Sequence, residues 1–216
     1  MLKGYKIRIY PTKEQEQKFW NHIGCCRYIW NWMLAYQEEH YKNGGKYLSA
    51  FDMINLLKPL KNDGEHGWLY EVSNGSLQTV CRDLDKTYKS FFKGTCKHPK
   101  FKSRKKSKAT YPVCSCRFYF TKDNVQIQSV GKVKYKTDFD IPFGKNEKFY
   151  NPHISYDGSK WFLSFSMECE NQVPPLTDKS MGIDLGVKEL ATVAFGDEQF
   201  TFHNINKSKK MKKLEN

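Results

Sequence analysis

The spacing of the apolar residues changes once along the chain, near Ala109, and this change separates a helical part from a strand-rich part. Before it, apolar residues mostly recur every three or four positions, as on one face of a helix. We predict a strand at residues 3–10, followed by three helices. The first helix is capped by Thr12 and stops at Gly44-Gly45, the second runs from Ser49 to Lys58 and is ended by Pro59, and the third runs from about Ser76 to a stop at Gly94.

Beyond Ala109 the apolar residues alternate with polar ones, which is typical of strands with one buried face. Several short antiparallel strands predict a small barrel, a shape often used to hold oligonucleotides. The plainest hairpin turn is Asp157-Gly158. The strands are predicted at residues 113–120, 125–130, 132–136, 149–156 and 160–167. A linker at 171–178, three strands at 181–185, 190–195 and 199–202, and the basic start of a helix at 207–213 follow.

The composition is that of a folded chain with reduced cysteines. Among 216 residues, 15 Phe, 13 Tyr and 5 Trp exclude disorder over most of the length. No apolar run approaches the roughly 18 residues of a spanning helix, so we expect a cytoplasmic protein without a membrane partner. The 7 cysteines include no Cys-x-x-Cys pair. We predict no zinc site, because the spacing of the available ligands fits neither a finger nor a ribbon: Cys96, His98, Cys114 and Cys116.

The net charge of +13 is concentrated in one stretch. Residues 93–136, here named the basic segment, hold 13 basic residues against the single acid Asp123. A positive field confined to one stretch favours a polyanion, because neutralising phosphates releases counterions. The other interpretation is a solvated loop that maintains solubility. Five residues, with Phe101 among them, are expected to follow a nucleic-acid backbone: Lys100, Lys102, Arg104, Lys105 and Lys106.

Asp184 is the one acidic residue in an otherwise apolar strand, MGIDLG at residues 181–186. A buried carboxylate is unfavourable unless it is paired or binds a metal, so we expect Asp184 to bind a cation. Alternatively, Asp184 caps a turn at the end of the strand. The motif is also found in the sugar-kinase and chaperone ATPase superfamily, although Val187-Lys188 follow here in place of small hydroxyl residues.

Three groups of motifs resemble the N-terminal half of the transposon-encoded TnpB proteins, also called OrfB-type transposases, which are relatives of compact type V CRISPR effectors. The opening of the family is similar to YKIRIYPT at residues 5–12 and RYIWN at 27–31. Its middle signature is similar to LDKTYKSFF at 84–92 and PKFKSRKK at 99–106. Its first RuvC motif resembles GIDLGVKELAT at 182–192. The motifs occur in the family's order across nearly the whole chain.

The resemblance implies an α+β fold with three parts. A wedge β-barrel is expected from residues 1–10 and 109–172, interrupted by a helical recognition domain at 11–108 that carries part of the basic segment. Residues 179–216 are expected to begin an RNase H-like (RuvC) nuclease domain. In the family, a glutamate and a final aspartate of the active site, and a four-cysteine zinc motif, lie beyond the positions that this sequence reaches.

The resemblance also implies roles for single residues. Asp184 would be one catalytic carboxylate and a ligand of Mg²⁺ in a complete active site. Gln78 and Thr121 would read a short motif beside the DNA target, and Arg27 would contact RNA. On the residues alone, Gln78 could equally be a solvent-facing helix residue and Thr121 an ordinary turn residue.

Two classes of function stay open at this point. The first is an RNA-guided, Mg²⁺-dependent DNA endonuclease with a guide RNA from the transposon end and a DNA target, acting at the nucleoid of a prokaryotic cytoplasm. The second is a nuclease-inactive, truncated relative that binds RNA and DNA and acts as a repressor. Whether residues 1–216 form an enzyme by themselves is not decided by the sequence, because only one of the family's carboxylates is matched.

Overall fold

The computed structural model describes residues 1–144, 147–169 and 178–204. The chain divides into two compact units, Met1–Glu170 and Asn171–Asn216. The linker predicted at 171–178 lies, apart from Asp178, outside the described residues, as does the helix start predicted at 207–213.

Three α-helices form the helical part of the first unit: α1 (Lys13–Lys42), α2 (Ala50–Lys61) and α3 (Asn74–Phe92). The cap predicted at Thr12 is confirmed and is part of a capping box, since Thr12 Oγ1 accepts from the Gln15 amide at 3.3 Å and Gln15 Oε1 accepts from the Thr12 amide at 3.0 Å. Gly94 has a φ of 71°, the left-handed conformation that ends a helix, directly after the C-cap of α3. No helix within the described ranges is long and apolar enough to cross a membrane.

The end predicted for α2 is wrong. Ser49 caps the helix as expected, but Pro59 lies inside it and the helix continues to Lys61. Leu60 and Lys61 are both buried, and the Lys61 ammonium donates to Asn74 Oδ1 at 2.8 Å. The packing of this last turn therefore outweighs the hydrogen bond that proline cannot make.

Seven antiparallel strands form one sheet in the first unit. They are β1 (Leu2–Tyr10), β2 (Ala109–Pro112), β3 (Tyr119–Phe120), β4 (Asn124–Ile127), β5 (Gly131–Lys136), β6 (Phe149–Tyr156) and β7 (Trp161–Glu168). The strand order is β2-β6-β7-β1-β5-β4-β3, so the N-terminal strand lies at the centre. The single strand predicted at 113–120 is wrong, because a short 3-10 helix, Ser115–Arg117, separates β2 from β3 and places them at opposite edges.

The sheet is strongly curled. Phe120 on β3 and Phe149 on β6 are five strand positions apart in the sheet order. In a flat sheet this would be about 24 Å at roughly 4.8 Å per strand. Their ring centroids are 4.9 Å apart, and Phe165 on β7 lies 5.1 Å from Phe120. The sheet therefore closes around an aromatic interior, as the predicted barrel requires, although no ladder joins β2 to β3 among the described residues.

The helices pack on this sheet through α1. The Phe19 ring lies 5.0 Å from the Trp161 ring on β7. Buried His22 accepts from the Ser73 amide at Nε2, at 3.1 Å, and therefore donates from Nδ1 to the Lys18 carbonyl at 2.7 Å. Burial lowers the pKa of His22, so the ring stays neutral and satisfies both partners.

The second unit contains a three-stranded antiparallel meander: β8 (Met181–Asp184), β9 (Glu189–Phe195) and β10 (Glu198–His203). These are the three strands that the sequence predicts, each within one residue or two of its expected ends. Asp184 is the last residue of β8 and pairs with Thr192 on β9.

Candidate nucleic-acid interface

A clasp between α1 and the basic segment fixes the position of residues 100–102. The Asn31 side chain donates to the Lys102 carbonyl at 2.9 Å and accepts from the Lys102 amide at 2.8 Å. One helical position earlier, Trp30 Nε1 donates to the Lys100 carbonyl at 3.0 Å. Three hydrogen bonds thus hold a stretch without regular secondary structure against a rigid helix.

The next residues form a turn closed by two serines. The Ser103 amide donates to Ser107 Oγ at 3.0 Å, and the Ser107 amide donates to the Ser103 carbonyl at the same distance. The Lys106 amide donates to Ser103 Oγ at 3.1 Å. The turn presents three exposed cations, none of which has a hydrogen-bond or ion-pair partner among the described residues: Arg104, Lys105 and Lys106.

Arg27 lies beside this turn and lines three clefts, two of which also contain residues of the basic segment. The first, with a volume of about 190 Å³, also receives Lys102 and Lys108. The second, of about 350 Å³, also receives Arg104. The structure therefore brings together Arg27, Lys102 and Arg104, three of the residues that the sequence selects.

Lys102 differs from its basic neighbours. Its ammonium lies over the Trp30 ring, 3.6 Å from the centroid, in a cation–π contact. Burial lowers the pKa of Lys102, an effect that the nearby Asp83 carboxylate opposes. Lys102 thus contributes to packing as well as to charge, whereas Lys105 and Lys106 contribute charge alone.

The positive charge is not neutralised within the first unit. In the described part of residues 1–169, Lys89 is the only lysine or arginine in an ion pair, with Asp85 Oδ2 at 2.7 Å. Unpaired cations at fixed positions repel each other, and an external polyanion removes that repulsion. This uncompensated charge favours the polyanion interpretation of the basic segment over that of a solvated loop.

Gln78 and Thr121 lie in different surroundings. Gln78, in the second turn of α3, lines a separate depression with Lys58 and Asn74. Thr121 forms the β3–β4 turn, where its Oγ1 donates to the Asn124 carbonyl at 2.9 Å and accepts from the Asn124 amide at 3.2 Å. The structure therefore gives Thr121 a structural role in the turn, and the DNA-reading role of both residues stays a prediction.

Asp184 is exposed at the end of β8, so the expectation of a buried carboxylate is wrong. The alternating exposure needed to bury one face is absent along this four-residue strand. An exposed aspartate can supply one ligand to Mg²⁺, which usually takes one or two carboxylates together with water and phosphate oxygens. Within the described ranges no group of three His, Cys, Asp or Glu side chains is placed to hold a metal, so these residues alone do not fit a two-metal site.

The four residues considered for zinc have other contacts. His98 packs edge-on against the rings of Tyr88 and Phe91, at 5.5 and 5.1 Å. The Cys96 thiol donates to the Thr87 carbonyl at 3.6 Å. The thiols of Cys114 and Cys116 interact with each other, and burial raises the pKa of Cys114. The absence of zinc stays a prediction.

The sequence analysis missed part of this interface. Asn31 is the residue that orients the basic segment, and only its place in the RYIWN motif drew attention to it. Asp83 from α3 and His153 from β6 line the cleft with Arg27, and no local pattern marks either of them. Contacts between residues so distant along the chain leave no signal in a single sequence.

Comparisons with known proteins agree with the motifs. A family described as a helix-turn-helix domain of OrfB proteins matches residues 1–46, which here form β1, α1 and the residues after it. InsQ of Escherichia coli (strain K12), named as a candidate RNA-guided DNA endonuclease, is 28% identical over 213 residues, covering 98% of this chain and 51% of InsQ. A protein of Streptomyces pristinaespiralis with the same description is 29% identical over 199 residues, covering 91% and 49%.

The chain thus spans about half the length of these relatives. Among solved structures, a chain from the cryo-EM structure of a Cas12f1–sgRNA–target DNA complex is similar, with a TM-score of 0.40 and 15% identity, over 99% of this chain and 60% of that one.

A basic surface held on a mixed helix-and-sheet unit is a feature that nucleic-acid-binding proteins commonly have. The family match at residues 1–46 and the two relatives make the chain similar to TnpB/OrfB proteins. These comparisons agree with the resemblance seen in the motifs.

Proposed function

We propose that the chain is the guide-RNA- and DNA-binding N-terminal half of an RNA-guided DNA endonuclease of the TnpB kind. The observation that carries the proposal is the basic segment, which Asn31 and Trp30 hold on α1 and whose cations form no ion pair with any described residue. Both relatives matched along the chain are described as RNA-guided DNA endonucleases. The guide would come from the transposon end, and the protein would act at the nucleoid.

We assign a different role to each of the two units. The first unit, which has its own core, would combine the wedge barrel (1–10 and 109–172) with the helical recognition domain (11–108) and hold the nucleic acids. The second would begin the RuvC domain at residues 179–216, with Asp184 as one carboxylate of a Mg²⁺ site. Magnesium would stabilise the charge of the attacked phosphate there, and the remaining ligands would come from outside the described residues.

The alternative is a relative that binds RNA and DNA without cutting and acts as a repressor. The observation that favours it is that the basic segment and its supports belong entirely to the first unit, which is compact by itself. Binding would then not depend on Asp184.

The binding proposal is tested by the salt dependence of RNA affinity. Replacing Lys100, Lys102, Arg104, Lys105 and Lys106 by Gln should flatten the slope of log affinity against log salt concentration by about 0.7 to 0.9 per lost phosphate contact. The control neutralises five exposed lysines outside the segment: Lys13, Lys18, Lys42, Lys46 and Lys160. An unchanged slope in the first variant, or an equal change in the control, would reject the basic segment as the interface. Sequencing the RNA that copurifies with the chain identifies the guide.

Cleavage separates the two candidate functions. Residues 1–216 with Mg²⁺, guide and matched target should show no cutting above background, because one aspartate cannot hold two metal ions. In a longer chain that carries the other carboxylates, Asp184→Asn should abolish cutting and preserve guide-dependent binding. Robust cutting by that long variant would exclude Asp184 as a metal ligand. Absence of cutting by the long chain with Asp184 intact would favour the repressor.

A further inference from the structure

A cavity of about 310 Å³ lies between α1 and α3, away from the clefts that receive Arg27. This size is at the lower end of small-ligand pockets, roughly 300 to 1,000 Å³. Gln37 and Glu38 form one part of its wall, and rings form the rest. We name the rings the aromatic cage: Tyr41, Tyr47, Tyr88, Phe91, Phe92 and His98. Tyr41 and Phe92 remain 72% and 61% exposed, so part of the wall is open to solvent.

Ring contacts and one hydrogen bond orient most of the cage. Tyr88 and Phe92 are nearly parallel, with an interplanar angle of 27° and centroids 5.9 Å apart. Tyr47 meets Phe92 edge-on at 5.3 Å, and its hydroxyl donates to Asp85 Oδ1 at 2.8 Å. The same buried carboxylate is bound by Lys89. The binding of a flat ligand would therefore need little further ordering of these side chains, which keeps the entropic cost of binding low.

Two polar groups beside the cavity lack partners within the described part of the chain. The Tyr88 hydroxyl is buried, in a residue only 4% exposed, and has no hydrogen-bond partner among the described residues. Burial and the nearby Glu38 carboxylate raise the pKa of Tyr88 to about 12, so the hydroxyl keeps its proton. Glu38 lines the same cavity and forms no ion pair within the described ranges. Leaving a buried hydroxyl unpaired is unfavourable, and a ligand with a matching polar edge would relieve it.

We propose that the aromatic cage binds one unstacked nucleobase that carries an exocyclic amino group. A base stacks on an aromatic ring such as the exposed Phe92 whatever its identity. A carboxylate accepts from an amino group such as cytosine N4 and repels the carbonyl edge of uracil or thymine. The cage is continuous in sequence with the basic segment: Lys93 follows Phe92, and Lys97 precedes His98. These lysines would hold the phosphates on either side of the inserted base. The inference rests on the proposed function, since it needs a nucleic acid on the basic segment.

The test measures the affinity of the 216-residue chain for labelled 12-nucleotide oligo-C and oligo-U by fluorescence anisotropy, as RNA and as DNA. The intact chain should bind oligo-C about five- to tenfold more tightly than oligo-U, and Glu38→Gln should reduce this preference to less than about twofold. Phe92→Ala, at an exposed ring, should weaken both by about five- to 150-fold, as expected for the loss of base stacking. Equal affinity for the two oligonucleotides in the intact chain, or a preference retained by Glu38→Gln, would overturn the proposal.

Tyr88→Phe provides the sharpest variant, because it removes only the unpaired hydroxyl. Stability to urea should be unchanged or higher, since a buried unsatisfied group is lost, while affinity for oligo-C should fall about fivefold. Tyr111→Phe is the matched control: its hydroxyl is also buried without a partner, outside the cage, and oligonucleotide affinity should not change. An equal loss in both variants would mean that the effect is structural and would overturn the proposal.

The two sugars identify the source of the base, and the salt slope separates this inference from the proposed function. If the cage variants weaken the binding of RNA alone, the base belongs to the guide, and if they weaken the binding of DNA alone, it belongs to the target. If they weaken both, the cage accepts a base from either strand. If they weaken neither, the inference is overturned. If the cage variants bind like the intact chain while neutralising Lys100 to Lys106 flattens the salt slope, the cage fails and the binding function stands. If the slope is also unchanged, the proposed function itself fails.

Discussion

Replacing Asn31 by Ala should weaken nucleic-acid binding without removing any charge. Asn31 makes two hydrogen bonds to the backbone of Lys102, 71 residues away along the chain, at 2.9 and 2.8 Å. Without them, residues 101–107 are held to α1 mainly by the bond from Trp30 to the Lys100 carbonyl and by the Lys102–Trp30 contact. The cations of the turn would then sample many positions before binding.

The expected size of the effect follows from the two bonds. Each contributes about 0.5 to 1.5 kcal/mol net, so the free energy that orders the segment falls by roughly 1 to 3 kcal/mol. Trp30 retains part of this order, and we expect the lower half of the range, about 1.4 kcal/mol or a tenfold loss in affinity. Because every cation remains, the number of counterions released, and hence the slope of log affinity against log salt, should not change.

The assay is RNA affinity at several salt concentrations, together with limited proteolysis of the free protein. Asn31→Ala should shift the whole line to weaker affinity, parallel to that of the intact chain. It should also speed the cleavage of the turn by trypsin, because the backbone of the turn is held less firmly against α1. Gln17→Ala is the control, since this exposed side chain on α1 forms a hydrogen bond to Asn21 and to no other residue that the structure describes. A flattened slope would show that Asn31 acts through charge contacts, and unchanged affinity would show that the clasp does not orient the interface.

Further predictions concern base reading and the core. Gln78→Ala should relax the preference for one DNA flank and leave RNA affinity nearly intact, as measured with randomised flanks; an equal loss of RNA affinity would mark Gln78 as a guide contact or a structural residue. Thr121→Ala should do the same but also lower stability by about 1 kcal/mol, because its hydroxyl closes the β3–β4 turn. Burial lowers the pKa of His22 below its usual 6.5, so the unfolded state binds more protons between the two values, and the free energy of unfolding should fall as the pH drops below about 6.5. In urea titrations His22→Gln should lose that part of the pH slope, and an unaltered slope would contradict a neutral, buried His22.

Much of the fold could be predicted from local patterns. The capping boxes at Thr12 and Ser49 are complete within four residues, and the structure shows both. The hairpin at Asp157-Gly158 is likewise local: Asp157 Oδ1 accepts from the amides of Ser159 and Lys160, and Gly158 has a φ of 103°. Where the donor and the acceptor lie within one turn of the chain, the local sequence is sufficient to predict the cap or the hairpin turn.

Predictions that depend on distant partners failed for a physical reason. Pro59 did not end α2, because burial of Leu60 and Lys61 in tertiary contacts outweighed a local propensity. The stretch at 113–120 alternates like one strand, yet it crosses from one edge of the curled sheet to the other and must break to do so. Asp184 was expected to be buried because its neighbours are apolar, but β8 leaves all four of its residues exposed.

At the candidate interface, the amount of positive charge could be predicted from the sequence, but the surroundings of each charged side chain could not. Charge is additive along a sequence, so the excess between residues 93 and 136 could be counted without knowing the fold. The surroundings of a residue cannot be counted in this way. Lys102 and Lys105 are three residues apart and have the same charge, but only Lys102 lies on an indole ring, and burial lowers its pKa. Neutralising Lys105 should therefore change the salt slope alone, whereas neutralising Lys102 should also cost packing against Trp30. Affinity for a polyanion can thus be predicted from the sequence, while the path that the polyanion follows is set by neutral side chains such as Asn31, which no count of charges identifies.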